Sequence, residues 1–310
     1  MRIVFMGTPE FACSSLERLL DSRHEIVGVV TQPDRPRGRG QQSLPTPIKR
    51  LGQERGLPVW TPSRLRERAF LELLKSLQPD LLVVVAFRML PPQVLAIARL
   101  GAINVHPSLL PKYRGAAPIQ WAVIRGEQET GVTTFCINCA IDCGDMLLQR
   151  IVPIGAEETA GELHDRLMEI GADLLLESVE LLDSGCARPK SQPSNDASSA
   201  PRLGKEDGRI DWSEGAAQIN NRIRGTHPFP GAFTCYKGTI LKVHRARPVP
   251  SSAEGLPGEI LVADGKQGIT VVTGSGALLL IEVQPAGKKR MSSAAFVRGY
   301  RIGVGERLGT

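Results

Sequence analysis

The sequence predicts a two-part α/β protein, a doubly wound parallel sheet followed by a small antiparallel β-barrel, and three observations predict it. Residues 1–106 alternate short apolar runs with helix-length stretches, the pattern of βαβ units that build a parallel sheet. One run, residues 81–86 (LLVVVA), is apolar without alternation, as a strand covered on both faces requires. From residue 203 onward the pattern changes to five short strands separated by glycine turns. At 310 residues the chain is long enough for both parts.

In order, residues 3–6 read as the first strand, and Gly7-Thr8-Pro9 leads into a helix ending near Leu20. Pro9 suits a first helical position, where a missing N–H costs little. Residues 26–31 form the second strand. Gly7-x-Pro9 is not the G-x-G-x-x-G fingerprint, so dinucleotide binding is disfavoured. Residues 32–45 (QPDRPRGRGQQSLP) read as a long polar loop, in which Arg35, Arg37 and Arg39 alternate with Pro36, Gly38 and Gly40. Loops of this length inside a compact domain are functional or disordered, and exposed arginines there suit phosphate contacts. Helices are expected over 47–55, 64–77 and from Pro91 or Pro92, with strands at 81–86 and 101–105. Residues 130–140 and 146–153 follow as strands joined through a turn at 142–145, then an amphipathic helix over 159–182 stopped by Gly185. Residues 189–201 (PKSQPSNDASSAP) read as a linker. Beyond it come a helix near 213–224, with Ser213 as its N-cap, and strands at 232–236, 240–246, 258–263, 269–273 and 277–283.

Composition narrows the class. No apolar run reaches membrane-spanning length and the start is a short strand, so a soluble, cytoplasmic protein is expected. Cys13, Cys136, Cys139, Cys143, Cys186 and Cys235 are too few for a disulfide framework in a chain this long. Cys136, Cys139 and Cys143 lack a fourth ligand nearby, and no metal is expected. The formal charge of +6 is unevenly spread. Residues 203–310 hold 15 basic and 9 acidic side chains, whereas 1–202 hold 23 of each. A basic appendage on a neutral domain suggests a polyanionic partner, although a mildly basic solvated face is a common alternative.

Chemistry concentrates between Gly101 and Asp145. Asn104 and His106 are two apart, so on a strand both leave the same face, and Pro107 ends that strand. In a doubly wound sheet such a strand end is where ligands sit. An amide, an imidazole and the later carboxylate of Asp142 make a metal-free acid/base and oxyanion set. Alone, Asn-x-His before proline would be a strand-end hydrogen-bonding pair, and Asp-x-Gly-Asp a turn. Their joint order around Ser108-Leu109-Leu110-Pro111 favours a site.

With these residues laid out, the chain resembles the methionyl-tRNA formyltransferase family of folate-dependent formyltransferases over nearly its whole length. The segments FMGTPEFA, VVTQPDRPRGRG, NVHPSLLPKYRGAAPIQWAVIRGEQETGVT, DCGDML, KEDGRIDW, IRGTHPFPGAF and GKKRMSSAAFVRG carry the likeness, in order. The resemblance implies a Rossmann-like formyltransferase domain over 1–188, a linker over 189–204 and an OB-like tRNA-binding domain over 205–310. It implies a monomer that transfers formyl from 10-formyltetrahydrofolate to the amino group of initiator methionyl-tRNA. Asn104 and His106 would then stabilise the oxyanion with Asp142 beside them, and Phe87, Ser108, Leu109, Leu110 and Pro111 would line the folate pocket. Arg35, Arg37 and Arg39, with Lys288, Lys289 and Arg290, would meet the tRNA. Ala86-Phe87-Arg88 stands where the family commonly has Ala-Tyr-Gly, which keeps an aromatic wall without its hydroxyl. The alternative is a formyltransferase of amino-sugar nucleotides, which shares the Asn/His/Asp set; the arginine-rich loop separates the two.

Overall fold

The computed structural model describes residues 1–37, 42–250 and 255–309, which pack into two compact units. The first comprises Met1–Pro118, Glu129–Pro153 and His164–Ala200. The second gathers Ile119–Gln128 and Ile154–Leu163 with Pro201–Thr310.

The first unit is built on β1 (Arg2–Gly7), α1 (Cys13–Leu20), β2 (Glu25–Val30), β3 (Arg35–Arg37), β4 (Gln42–Leu44), α2 (Pro47–Glu54), β5 (Val59–Trp60), α3 (Arg68–Ser76), β6 (Leu81–Val85), α4 (Pro92–Leu95), β7 (Ala102–His106) and β8 (Arg114–Gly115). Then come α5 (Pro118–Ile124), β9 (Glu129–Cys136), β10 (Met146–Pro153), α6 (Ala160–Asp183) and β11 (Ser199–Ala200), of which α5 and α6 run across the division between the units. Seven strands form one sheet in the order β10-β9-β7-β6-β1-β2-β5. β7, β6, β1, β2 and β5 are parallel, and β9 and β10 add an antiparallel hairpin at one edge. β6 is central and all five of its residues are buried, which is why its sequence does not alternate. Each buried Val or Leu there contributes about 1.5–3 kcal/mol.

The elements begin and end where local chemistry dictates. Thr46 Oγ1 accepts the Lys49 N–H to cap α2, and Pro47 takes its first position. α6 starts on a capping box in which Glu162 Oε2 accepts the Thr159 N–H at 2.8 Å and Thr159 Oγ1 accepts the Glu162 N–H at 3.3 Å. Gly185, at φ +68°, stops the chain from continuing that helix. Three details differ from expectation. The turn after β1 holds a 3-10 helix, Glu10–Ala12, before α1 begins. The loop at 32–45 contains the antiparallel pair β3–β4, with Arg35 opposite Leu44 and Arg37 opposite Gln42. Residues 190–200 make ladder bonds: Lys190 bridges Met146, and β11 runs parallel to β8.

The second unit holds α7 (Ala216–Gly225), β12 (Ala232–Tyr236), β13 (Thr239–Val249), β14 (Ile260–Asp264), β15 (Gly268–Val272), β16 (Ala277–Pro285), β17 (Met291–Ser292) and α8 (Ser293–Tyr300). The antiparallel path is β12-β13-β16-β15-β14, with β17 beside β16. Register breaks on either side of Arg245 bend the long β13. The barrel-like sheet closes over one core, in which Ile219 and Ile223 of α7 meet Leu241, Val243, Ile269, Leu280 and Phe296. Ser213 is not the N-cap of α7. Asp211 Oδ1 accepts both its N–H and its hydroxyl, and the helix starts from Gly215, whose N–H donates to Gln218 Oε1. Arg224 is buried and donates to the Gly155 and Glu158 carbonyls at 3.1 Å each. Among the described residues no helix is long and apolar enough to cross a membrane.

Candidate functional site

Asn104 and His106 sit at the carboxyl end of β7, between β6 and β9, with Asn104 opposite Val84 on one side and Phe135 on the other. Their neighbours Ile103 and Val105, 0% and 2% exposed, point the other way into the core. Burial of that apolar face fixes which face the polar pair takes. Asn104 Oδ1 is buried without a hydrogen-bond partner among the described residues. A buried amide oxygen left unpaired costs about 1–3 kcal/mol, so the site holds a bond ready to be made.

His106 is 4% exposed. Its Nε2 lies 2.9 Å from the Tyr113 carbonyl oxygen, which can only accept, so Nε2 carries hydrogen and Nδ1 faces Asp142. Asp142 Oδ2 is 3.7 Å from Nδ1, too long for a direct hydrogen bond but close enough for its charge to act. Burial pushes the imidazole below its ordinary pKa, and the Asp142 carboxylate and the Tyr113 carbonyl oppose that shift. The ring is therefore neutral at rest beside an anion that favours its charging.

Asp142 occupies left-handed backbone at φ +51°. Its Oδ2 accepts the Gly115 N–H at 2.9 Å. Its carbonyl and that of Gly144 accept the Gln192 side-chain amide at 2.9 and 2.8 Å. Gln192 Oε1 in turn accepts two bonds from the Arg114 guanidinium, at 3.1 and 2.6 Å. Tyr113, at φ +63°, donates its N–H to Ser198 Oγ at 2.9 Å. Thus the carbonyl that orients His106 and the loop that carries Asp142 are both tied to residues 192–198. None of these four partners (Tyr113, Gly115, Gln192, Ser198) is legible in the sequence, where the relevant atoms are main-chain groups or belong to a polar segment.

The Ser108–Pro111 segment is bolted in place. Ser108 Oγ donates to the Lys112 carbonyl at 2.7 Å, while Thr133 Oγ1 donates to the Ser108 carbonyl and accepts the Leu110 N–H. Gln149 adds bonds to Leu110 O and Thr133 Oγ1. Ser108, Leu110 and Pro111 are buried, so Leu109, half-buried, is the member with open side-chain surface. Phe87 is half-buried just past β6, and the Arg88 guanidinium lies 5.4 Å from its ring centroid while donating to the Ser63 and Pro62 carbonyls. Arg88 thus clamps the aromatic wall.

Of the expected tRNA contacts, Arg35 and Arg37 lie on β3, and Arg39 lies outside the described residues. Lys288, Lys289 and Arg290 are exposed on the turn between β16 and β17. Among the described residues, the group close enough to share a metal ion is His24, Glu180 and Asp183. Arg23 pairs with both of those carboxylates, and Glu180 also meets His24 at 3.0 Å.

His227 and His244 share the depressed pKa of His106, burial being the main cause in each. A histidine whose folded pKa lies below about 6.5 is protonated first in the unfolded chain. Its contribution to stability is complete above that value and is lost as pH falls through it. Denaturation midpoints are expected to drop as pH falls from about 7.5 to about 5.5. A flat profile over that range would contradict the burial assigned to these rings.

The chain is a member of the formyl transferase class. Two family profiles match in series: "Formyl transferase" over residues 1–179, and "Formyl transferase, C-terminal domain" over 202–301. The methionyl-tRNA formyltransferase of Citrifermentans bemidjiense is 48% identical over 310 residues, covering 100% of this chain and 96% of that protein. That of Geobacter sulfurreducens is 46% identical, covering 100% and 97%. The chain belongs to the methionyl-tRNA formyltransferase family. A solved N-formyltransferase from Helicobacter canadensis, in complex with folinic acid and dTDP-3-aminofucose, superposes with a TM-score of 0.69. It covers 91% of this chain and 98% of its own, at 18% identity, a likeness of fold alone.

Proposed function

We propose that the chain transfers the formyl group of 10-formyltetrahydrofolate to the α-amino group of initiator methionyl-tRNA, using Asn104, His106 and Asp142. Membership of the family over the whole chain supports the substrates. The observation that carries the site is the placement of Asn104 and His106 on one face at the carboxyl end of β7, with the Asp142 carboxylate 3.7 Å from the imidazole. When bound, the folate supplies a formyl carbon at the oxidation level of an amide.

The acceptor amine has a reference pKa of about 7.7–8.0, so part of it is neutral at cytoplasmic pH and needs no strong base. The residues must instead hold the reactants together, which is worth roughly 7–11 kcal/mol, and meet the charge that develops on the formyl oxygen. The side-chain amide of Asn104 and the imidazole of His106 donate to that oxygen. Asp142 favours charging of His106, whose Nδ1 takes the proton the amine releases, donates to the oxyanion and passes that proton to the departing folate nitrogen, while Nε2–H keeps the Tyr113 carbonyl. Leu109 and Phe87 line the folate ring, over the Ser108–Pro111 scaffold.

On the same reading, residues 1–188 carry the chemistry, 189–204 connect, and 205–310 bind tRNA in a cytoplasmic, monomeric enzyme. Arg35, Arg37 and Arg39 meet phosphates from the catalytic domain, and Lys288, Lys289 and Arg290 from the C-terminal one. The test offers the protein 10-formyltetrahydrofolate with either initiator methionyl-tRNA or amino-sugar nucleotides and follows formyl incorporation. Formylated tRNA is expected; formyl appearing on the sugar nucleotide alone would overturn the reading. The KM for tRNA should rise steeply with salt. Replacing Lys288, Lys289 and Arg290 with alanine should flatten the log–log slope by about 0.7–0.9 for each phosphate no longer neutralised. An unchanged slope would remove that cluster from the interface.

A further inference from the structure

We propose that Gln192 is a positioning residue of the transfer reaction, holding the Asp142 carboxylate against His106 by bracing the loop that carries it. This role presupposes the part given to Asp142 above.

Every bond the Gln192 amide can make is taken. Its oxygen accepts twice from Arg114, and its nitrogen donates once to the Asp142 carbonyl and once to that of Gly144. The orientation is forced, because a guanidinium only donates and a carbonyl only accepts. A glutamine on a solvated connector would spend those bonds on water. Here they join β8 to the 142–144 loop through a residue 78 positions from Arg114 and 50 from Asp142.

What the brace secures is a strained backbone. A non-glycine residue in the left-handed region costs about 1–2 kcal/mol, and Asp142 sits there at φ +51°. The two Gln192 bonds pin the carbonyls on either side of Cys143, so the loop cannot relax by turning them outward. Held this way, the carboxylate accepts from Gly115 and faces Nδ1 of His106. Arg114 belongs to the same device: its backbone N–H donates to the Ser198 carbonyl, and its neighbour Tyr113 supplies the carbonyl that fixes the His106 ring. One strap therefore sets both partners of the imidazole.

The test uses the full-length protein with Gln192→Met, which keeps the volume, and Gln192→Glu, which keeps the Arg114 contact but loses the donor. Asp142→Asn serves as the reference. A displacement of about 1 Å at a reacting group can cost about 10²-fold in rate. Both Gln192 variants should lose kcat by about that factor or somewhat less, with KM for folate and tRNA within about threefold of wild type. The His106 ring protons, followed by NMR, should titrate at lower pH in Gln192→Met, as in Asp142→Asn, because the carboxylate that favours the charged ring has moved away; Gln192→Glu, which adds an anion of its own, is read by kcat. Wild-type kcat in either folded variant, or an unshifted His106 titration in Gln192→Met, would overturn the proposal. A lowered thermal midpoint with an unshifted titration would also overturn it, leaving Gln192 a structural residue. A shifted titration with Asp142→Asn still fully active would uphold the brace and remove Asp142 from catalysis.

Discussion

Replacing Asn104 or His106 with alanine is expected to lower kcat by about 10²–10³-fold, the usual loss of about 2.7–4 kcal/mol for one oxyanion donor, with little change in the KM for folate. The two variants should differ in stability. Asn104 Oδ1 has no partner in the described residues, so its truncation unmakes no bond there and thermal stability should stay near wild type. His106 is 4% exposed and donates to the Tyr113 carbonyl, so alanine removes a buried bond and should lower the thermal midpoint. Steady-state kinetics on folded protein, with melting curves alongside, separate the two effects. Near wild-type turnover in Asn104→Ala would remove the amide from the reaction.

Gly144→Ala should be nearly as damaging, for a purely steric reason. A Cβ there would lie 1.6 Å from the Cys136 carbonyl oxygen and 2.8 Å from its carbon, both backbone atoms of β9. No side chain can move aside, so the loop must lift from the sheet. Lifting it breaks the Cys136 N–H bond to the Asp145 carbonyl at 2.8 Å and withdraws the Gly144 carbonyl from Gln192. Overpacking of this kind costs about 1–3 kcal/mol of stability, and Asp142 leaves His106. A kcat loss of about 10²-fold is expected. Wild-type kinetics in Gly144→Ala would show that the loop's seat on β9 has no catalytic consequence.

The sequence carried the scaffold of this site more clearly than its bracing. Alternation along β7 placed Asn104 and His106 on one face, and the unbroken apolar run of β6 announced a strand covered on both sides. Both signals are physical consequences of burial and appear wherever a parallel sheet is built. Asp142 was legible only through its order after Asn104, His106 and the Ser108–Pro111 segment, since Asp-x-Gly-Asp alone reads as a turn. What orients these three groups was not. The Tyr113 carbonyl and the Gly115 N–H are main-chain atoms that any residue would offer. Gln192 and Ser198 lie in a Ser- and Pro-rich stretch whose composition reads as connector, because composition reports average solvation and not the bonds of one amide. Ser213 was displaced as an N-cap by competition, since Asp211 two residues earlier accepts more strongly than a hydroxyl.

The packing of α7 has a consequence for how such chains can change over evolutionary time. The two family profiles leave a gap between residues 179 and 202, so inheritance divides the chain there. Packing divides it elsewhere. Gly225 lies so close to Ile124 that a Cβ would approach its Cγ1 to 2.6 Å, and Arg224 spends its guanidinium on carbonyls of residues 155 and 158. Both partners are encoded upstream of the gap. A recombination that imported a foreign tail past residue 202 would therefore bring in an α7 without the surface it evolved to meet. Lineages that exchange tails must carry 119–128 and 154–163 along, or readapt Ile124 and its neighbours afterwards.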